Sequence, residues 1–440
     1  MIAALLTLGL ALPVVAFAGA FADDLDTALV AVNEGRFAEA EQLLEQLLAG
    51  APKDERPIRL AQARLFVDTS RGQLAMDALA PLTLTGDSEA TKLTGLAFAA
   101  LGDEIEFADG PIEDADYYYG EALQHLERAA DLATRGDTDA AVEAAYLALY
   151  IFSDWSKAES LADTALRRTK HDGEALLARG CARVRGFAAM DQHMTPSLRT
   201  ANWDAAEADL LEAVKELGPD RTEPWWQLIW LYEQGERPDD ALAAALSHHD
   251  ATGREDSSTI LRLALSFARG QQLAPSLAAI QALIDRDQDG LIANLRSSED
   301  LTGDTVALSW AVQPLLSKRR QGEARDLLQV LGLADPADAD FWNNLAFLCR
   351  ETGKYEQSYV AYEKAVSLDD TSPRLLNDTA LILQYHLHRN LDRARFLYER
   401  AVTLAEAALD EKPSTDIARE LRSARTDARN NLSRLGSSRR

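Results

Sequence analysis

The feature that most constrains this chain is the alternation of small and large residues between Ala339 and Asp370, ADFWNNLAFLCRETGKYEQSYVAYEKAVSLDD. Apolar residues recur there every three or four positions, the period of one helix face. Trp342, Leu345, Ala346 and Cys349 form one stripe, and Ser358, Tyr362 and Ala365 form a second. A tight turn at Gly353-Lys354-Tyr355 separates them. Ala346 and Ser358 sit where two helix backbones must approach closely, with Trp342 and Tyr362 beside them to fill the gap. A lone pair of helices cannot bury such a face, so others of the same kind must stack on it.

The spacing does recur. Gly35-Arg36-Phe37 is followed by Ala40, Leu44 and Pro52, and the same Ala-to-Pro spacing returns at Ala324, Leu328 and Pro336. A second hairpin, Ile58 to Leu84, turns at Arg71-Gly72. A third starts at Ser88 and is interrupted before a helix running from about Asp114 into Ala133. The fourth turns at Asp154-Trp155, with Ala158, Ala162 and Ala165 as close contacts. The fifth begins at Leu176, reaches Gly180 and meets an irregular insertion, 186–201, before Trp203, Ala206, Leu210 and Ala213. The sixth carries Trp225, Leu228, Ile229 and Tyr232, then Ala241. The seventh, Ser258 to Asp285, turns near Gly270 and precedes an irregular stretch to Asp304. Leu308, Ala311 and Leu315 open the eighth. The ninth is the stretch above, and the tenth has a turn lengthened around His386 to Asn390. A last helix from about Ser414 aligns Ile417, Leu421, Ala424, Ala428, Leu432 and Leu435 on one face, as a cap would.

These residues resemble the tetratricopeptide repeat, of ~34 residues with W-x2-L-G-x2-Y, then A-x3-F, then P. Trp342 and Leu345 match outright, Ala346 stands for the glycine, Cys349 for the tyrosine, Ser358 for the alanine and Tyr362 for the aromatic. Residues 222–248 and 339–370 match best. The resemblance implies an all-α, right-handed α-solenoid of about ten hairpins over residues 23–410, with 411–440 as capping helix and Arg-rich tail. It also implies a concave groove, lined by the first helix of each hairpin, that holds a protein or peptide.

Composition narrows the partner. The formal charge of −26 and pI of about 4.7 repel nucleic acid and anionic membranes. Basic proteins, peptides or cations are attracted, and the same charge serves solubility. Residues 1–22, MIAALLTLGLALPVVAFAGAFA, carry no charge and end in the small-x-small sites Ala16-Phe17-Ala18 and Ala20-Phe21-Ala22. They read as a cleaved signal peptide, which places the mature chain in the periplasm or outside the cell. An uncleaved N-terminal anchor is the alternative, because the stretch is long enough to span a bilayer. Cys181 and Cys349 are expected as free thiols, since several helices separate them.

Candidate binding residues are few. Trp226 and Trp230, at i and i+4, share one helix face next to the motif residue Trp225 and would anchor a side chain or a sugar ring. The resemblance further implies that Asn344 and Asn377, in matching parts of the ninth and tenth hairpins, hold an extended peptide backbone from the groove. Asp103, Glu104, Glu106, Asp109, Glu113, Asp114 and Asp116 form an acidic loop, either solvated or binding a cation or a basic partner. Asp285, Asp287 and Asp289 before Gly290 resemble the opening of an EF-hand loop, but Arg296 stands where the bidentate Glu is needed. Arg419, Arg422, Arg425, Arg429, Arg434, Arg439 and Arg440 reverse the sign of the chain at its end. No catalytic motif appears, and no cofactor is implied. The expected function is an exported scaffold for protein–protein or protein–peptide interaction. The alternatives are an exported helical hydrolase or carbohydrate-binding protein with a site near Trp226 and Trp230, and a calcium-dependent adhesion protein.

Overall fold

One recurring turn sets the architecture. Two residues before the second helix of a hairpin, the backbone turns left-handed: Gly35 (φ +72°), Ser70 (+53°), Ser153 (+52°), Glu236 (+53°), Gln271 (+58°), Arg319 (+59°) and Gly353 (+74°). The next N–H then reaches back five residues to close the first helix. Arg36 donates to the Ala31 carbonyl at 2.8 Å, Arg71 to Phe66 at 2.7 Å, Arg320 to Leu315 at 2.8 Å and Lys354 to Cys349 at 2.8 Å. This is a Schellman closure, which satisfies carbonyls the helix end would otherwise leave orphaned.

The computed structural model describes residues 20–437, apart from 51, 53, 83–85, 109–110, 135, 191–195 and 254–256. The chain divides into two compact units after Leu231. The first holds the helix pairs Ala20–Asn33 with Phe37–Ala49, Arg56–Asp68 with Gly72–Leu79, Ser88–Phe107 with Ile112–Leu132, Asp139–Tyr150 with Trp155–Arg168, and Gly173–Met190 with Pro196–Leu217. Helix Thr222–Gln234 spans the division. The second unit continues with Pro238–Thr252, Ser257–Arg269 with Leu273–Arg296, and Leu301–Ser309 running through Gln313–Ser317 to pair with Gln321–Gly332. It ends with Ala339–Glu351 and Tyr355–Leu368, Pro373–Leu381 and Leu391–Asp410, and the terminal helix Thr415–Ser437. Among the described residues there is no strand, and each unit is an all-α stack of helical hairpins.

Small residues permit the stacking. Ala40 and Leu44 of the first hairpin are fully buried against Leu25, Ala28 and Ala31, and the cluster continues into Ile58, Ala61 and Leu65 of the second. At Gly95 and Gly180 an added Cβ would lie 2.8 Å and 2.7 Å from Leu126 and Leu210, so the paired helices touch backbone to side chain there. Ser358 takes the alanine place of the ninth hairpin because its hydroxyl, fully buried, donates to the Ala346 carbonyl at 2.8 Å. Ser276 does the same to Ala264 at 2.9 Å. A buried carboxylate ties the fourth hairpin to the fifth. Asp209 accepts from Arg179 Nη2 and Arg183 Nη1, both at 2.6 Å, while those guanidiniums also hold Asp163 and Glu159 at 2.8 Å.

Three expected irregularities are helical instead. The segment 186–201 is helix to Met190 and again from Pro196, with 191–195 outside the described residues. The stretch expected to run irregularly to Asp304 is helix as far as Arg296, and the next helix starts at Leu301. Asp103, Glu104 and Glu106 lie on helix Ser88–Phe107, not in a loop. There the Tyr119 hydroxyl donates to Asp103 at 2.8 Å and to Glu106 at 3.0 Å. Glu104 accepts the Gly72 N–H at 2.8 Å, at the start of helix Gly72–Leu79. Glu113, Asp114 and Asp116 belong to helix Ile112–Leu132, where acids suit the first turn. Asp109 lies outside the described residues.

Candidate functional site

Of the two indoles singled out from sequence, Trp226 is 54% exposed and Trp230 is half-buried. Trp225 beside them is buried and donates from Nε1 to the Pro219 carbonyl at 2.8 Å. Trp342 makes the equivalent bond to Pro336 at 2.9 Å. These two motif tryptophans are thus structural, whereas Trp226 is turned to solvent.

The two asparagines part company. Asn344 is exposed. Asn377 is buried and not open to a partner: its Oδ1 accepts from Asn431 Nδ2 of the terminal helix at 3.2 Å. The Tyr385 hydroxyl donates to the Asn431 Oδ1 at 3.1 Å, so the terminal helix occupies this position itself. The calcium reading of Asp285, Asp287 and Asp289 also fails on geometry. Helix Leu273–Arg296 runs through them, broken only at Asp287 (φ −152°, ψ 66°). Asp287 is buried, accepts from the Ser257 hydroxyl at 2.5 Å and caps the Gly290 N–H at 3.1 Å. Asp285 and Asp289 are exposed on either side. An aspartate that restarts a helix carries the same residue pattern as the opening of a calcium loop. Both cysteines are buried free thiols, and burial pushes Cys181 up to about 12 and Cys349 up to about 11.

The first unit holds a site that sequence reading did not find. First helices of successive hairpins contribute Arg64, Lys92, Glu143 and Tyr146, and Glu174, with Arg221 beyond them. Lys92 is buried and bonds Glu89 at 2.8 Å and Asp139 at 3.3 Å. Burial alone would lower its pKa, but those two carboxylates raise it. Tyr146 donates to the Glu174 carboxylate at 3.0 Å, and Arg221 lies 3.3 Å from the same group. Burial raises the Glu174 carboxyl against the pull of Arg221. Between them is a pocket of about 50 Å³ lined by Thr138, Asp139, Val142, Glu143, Tyr146, Asp172 and Glu174.

Glu143 is the anomaly of this pocket. It is 6% exposed and, among the described residues, has neither hydrogen bond nor ion pair. Burial pushes its carboxyl up to about 7, although Arg64 and Lys92 pull the other way. One signal in the sequence pointed to it: Glu143 is the lone charge inside AAVEAAYLALY, residues 140–150.

Two other places offer less. A cavity of about 540 Å³ on helix Ser257–Arg269 is lined by Leu261, Arg262, Leu265, Arg269, Asn294 and Ser297. His171, Glu212 and Glu216 bring ligand atoms together, but His171 is exposed and Lys215 sits 2.7 Å from Glu212. No helix among the described residues is long and apolar enough to cross a membrane.

A family model described as tetratricopeptide repeat matches residues 339–372. No curated protein matches the chain. Among solved structures it is similar to a thermophilic TPR protein of Thermus thermophilus, at 18% identity over 50% of this chain and 98% of that one, with a TM-score of 0.31. It is also similar to the TPR2AB domain of yeast Sti1 in a pHSP90 complex, at 13% identity over 66% and 98% of the two chains, with a TM-score of 0.32. YrrB, described as a TPR protein with an unusual peptide-binding site, shares 13% identity over 56% and 92%, with a TM-score of 0.27. One tetratricopeptide repeat is thus matched over residues 339–372, and hairpins closed by the same left-handed turn precede it in the chain.

Proposed function

We propose that this protein is an exported scaffold that binds another protein or a peptide on the face formed by the first helices of its hairpins, and that it is not an enzyme. The observation that carries the reading is Trp226. Its helix buries Trp225, Leu228 and Ile229 yet leaves this indole 54% exposed, one turn before the half-buried Trp230. A large, stiff side chain left in solvent beside a partly wet neighbour is the kind of anchor that interfaces use. Export rests on the uncharged residues 1–22 and their small-x-small ends.

The test is a pull-down from envelope extract and culture medium with the native chain and with Trp226→Ala/Trp230→Ala. A protein captured by the first and lost by the second supports the face as the binding surface. Capture that survives both substitutions moves the surface elsewhere. N-terminal sequencing of the protein recovered from cells checks export: a start near Asp23 agrees, and a start at Met1 contradicts a cleaved signal.

A further inference from the structure

The pocket around Glu143 leaves one of its own acids without a partner. Four carboxylates line it: Asp139, Glu143, Asp172 and Glu174. Two are met by cations, Asp139 by Lys92 and Glu174 by Arg221, at 3.3 Å each. Asp172 is held by neutral donors, the Thr138 hydroxyl and the Ala175 N–H, the latter at 2.9 Å. Glu143, 6% exposed, has no partner at hydrogen-bond distance among the described residues. Arg64 is close enough to act on Glu143 through space, but its guanidinium is committed to Asp68 at 2.9 Å.

A buried acid without a partner is strongly unfavourable in an evolved fold. The lining decides what would satisfy it. The remaining charge is negative, which excludes an anion. About 50 Å³ exceeds the ~10–15 Å³ of one water and suits an ammonium or guanidinium head. Val142 and Tyr146 supply an apolar wall for an alkyl stem, and Tyr146 is itself fixed, its ring stacked 6.1 Å from Tyr150 and its hydroxyl on Glu174. Long basic side chains pair an apolar stem with a charged head in this way.

We infer that this pocket is a specificity site for a lysine or arginine side chain of the bound partner, with Glu143 as the carboxylate that receives its charge. The inference rests on the scaffold reading above and adds the chemistry of one partner residue. It also gives the acidity of the chain a local use, since the long-range field would favour the same basic segment that the pocket then selects.

The experiment uses the full chain and two pools of acetylated, amidated hexapeptides, identical except that one position is lysine in the first and norleucine in the second. Binding is read at physiological salt for the native protein, for Glu143→Gln and for Glu420→Gln, an exposed acid of the terminal helix that controls for net charge. The expected result is at least a tenfold preference for the lysine pool, lost in Glu143→Gln and kept in Glu420→Gln, with the norleucine pool unaffected by either change. Equal retention of both pools by the native protein overturns the inference, as does a lysine preference that survives Glu143→Gln. Binding of putrescine with neither pool retained also overturns it, because the guest would then be a free diamine. A melting temperature for Glu143→Gln no lower than native shows that a loss is not unfolding. A protein partner captured equally by native and Glu143→Gln chains would leave the scaffold reading standing while this pocket falls.

Discussion

Glu143→Gln should stabilise the first unit, and should do so only above mildly acidic pH. The Glu143 carboxyl is raised from 4.5 to about 7 by burial. A raised acid means that the fold binds the proton more tightly than the unfolded chain does. Stability from this group is therefore fully present below about pH 4.5, falls as pH rises toward 7, and is flat above it. Each pH unit between those two values corresponds to ~1.4 kcal/mol, so the ionised native state at pH 8 carries a penalty of about 3 kcal/mol. Glutamine removes the charge but not the need of its amide for a partner. The expected gain is thus about 1–3 kcal/mol at pH 8 and about zero at pH 4.

Urea unfolding of native and variant chains at half-unit steps from about pH 4 to 8.5 measures this. Hydrogen exchange across helix Asp139–Tyr150 localises it, so that unfolding of the second unit does not mask the first. Other carboxylates titrate over the same range, but they are common to both chains and cancel in the difference. Lys92→Met gives a second arm. Removing one of the two cations that pull on Glu143 should extend the fall of native stability to higher pH. A variant less stable than native at pH 8, or a difference that does not change with pH, would refute the placement of an ionisable, unpaired acid in this pocket.

Other outcomes follow from the scaffold. Left-handed backbone costs a residue with a side chain ~1–2 kcal/mol, partly offset by the unfolded-state freedom of glycine. Gln271→Gly and Arg319→Gly should each therefore raise stability by about 0.5–1 kcal/mol in urea titrations, while Gly353→Ala should lower it by a similar amount. Asp209→Ala leaves Arg179 and Arg183 half-buried without their shared carboxylate and should lower stability by about 2–3 kcal/mol, read as faster exchange in helices 155–168 and 173–190. Asn431→Ala strips the partners of buried Asn377 and of the hydroxyl of exposed Tyr385 and should destabilise the end of the second unit by about 1–2 kcal/mol, visible first as exchange in helix Thr415–Ser437.

The hairpins were legible because their signals are local. A turn such as Gly353-Lys354-Tyr355 and a small residue three places on are read within one stretch of chain, and the backbone obeys them whatever lies beyond. Even a turn whose left-handed residue is not glycine, at Gln271, falls beside the expected Gly270, since the stacking outweighs the strain of one left-handed residue. The polar residues were harder for a physical reason. An aspartate capping a helix restart and an aspartate in a calcium loop are the same residue in the same spacing, so Asp287 could be assigned only once Ser257, thirty residues away, was seen to bond it. Asn377 likewise looks free until Asn431 arrives from the terminal helix.

The same reasoning explains why the pocket was missed and why it matters more than the acids that were noticed. Arg64, Lys92, Glu143 and Glu174 come from four different hairpins, and each looks ordinary beside its chain neighbours. Only stacking brings them together, so their meaning belongs to the array and not to any one repeat. The acids that stood out in sequence, Asp103, Glu104 and Glu106, are consumed in bonds to Tyr119 and Gly72. In a chain with this much negative charge, the informative acid is the one with no internal use. Glu143 is buried at the wall of a polar pocket and has none among the described residues, and for that reason it is the acid left for a partner.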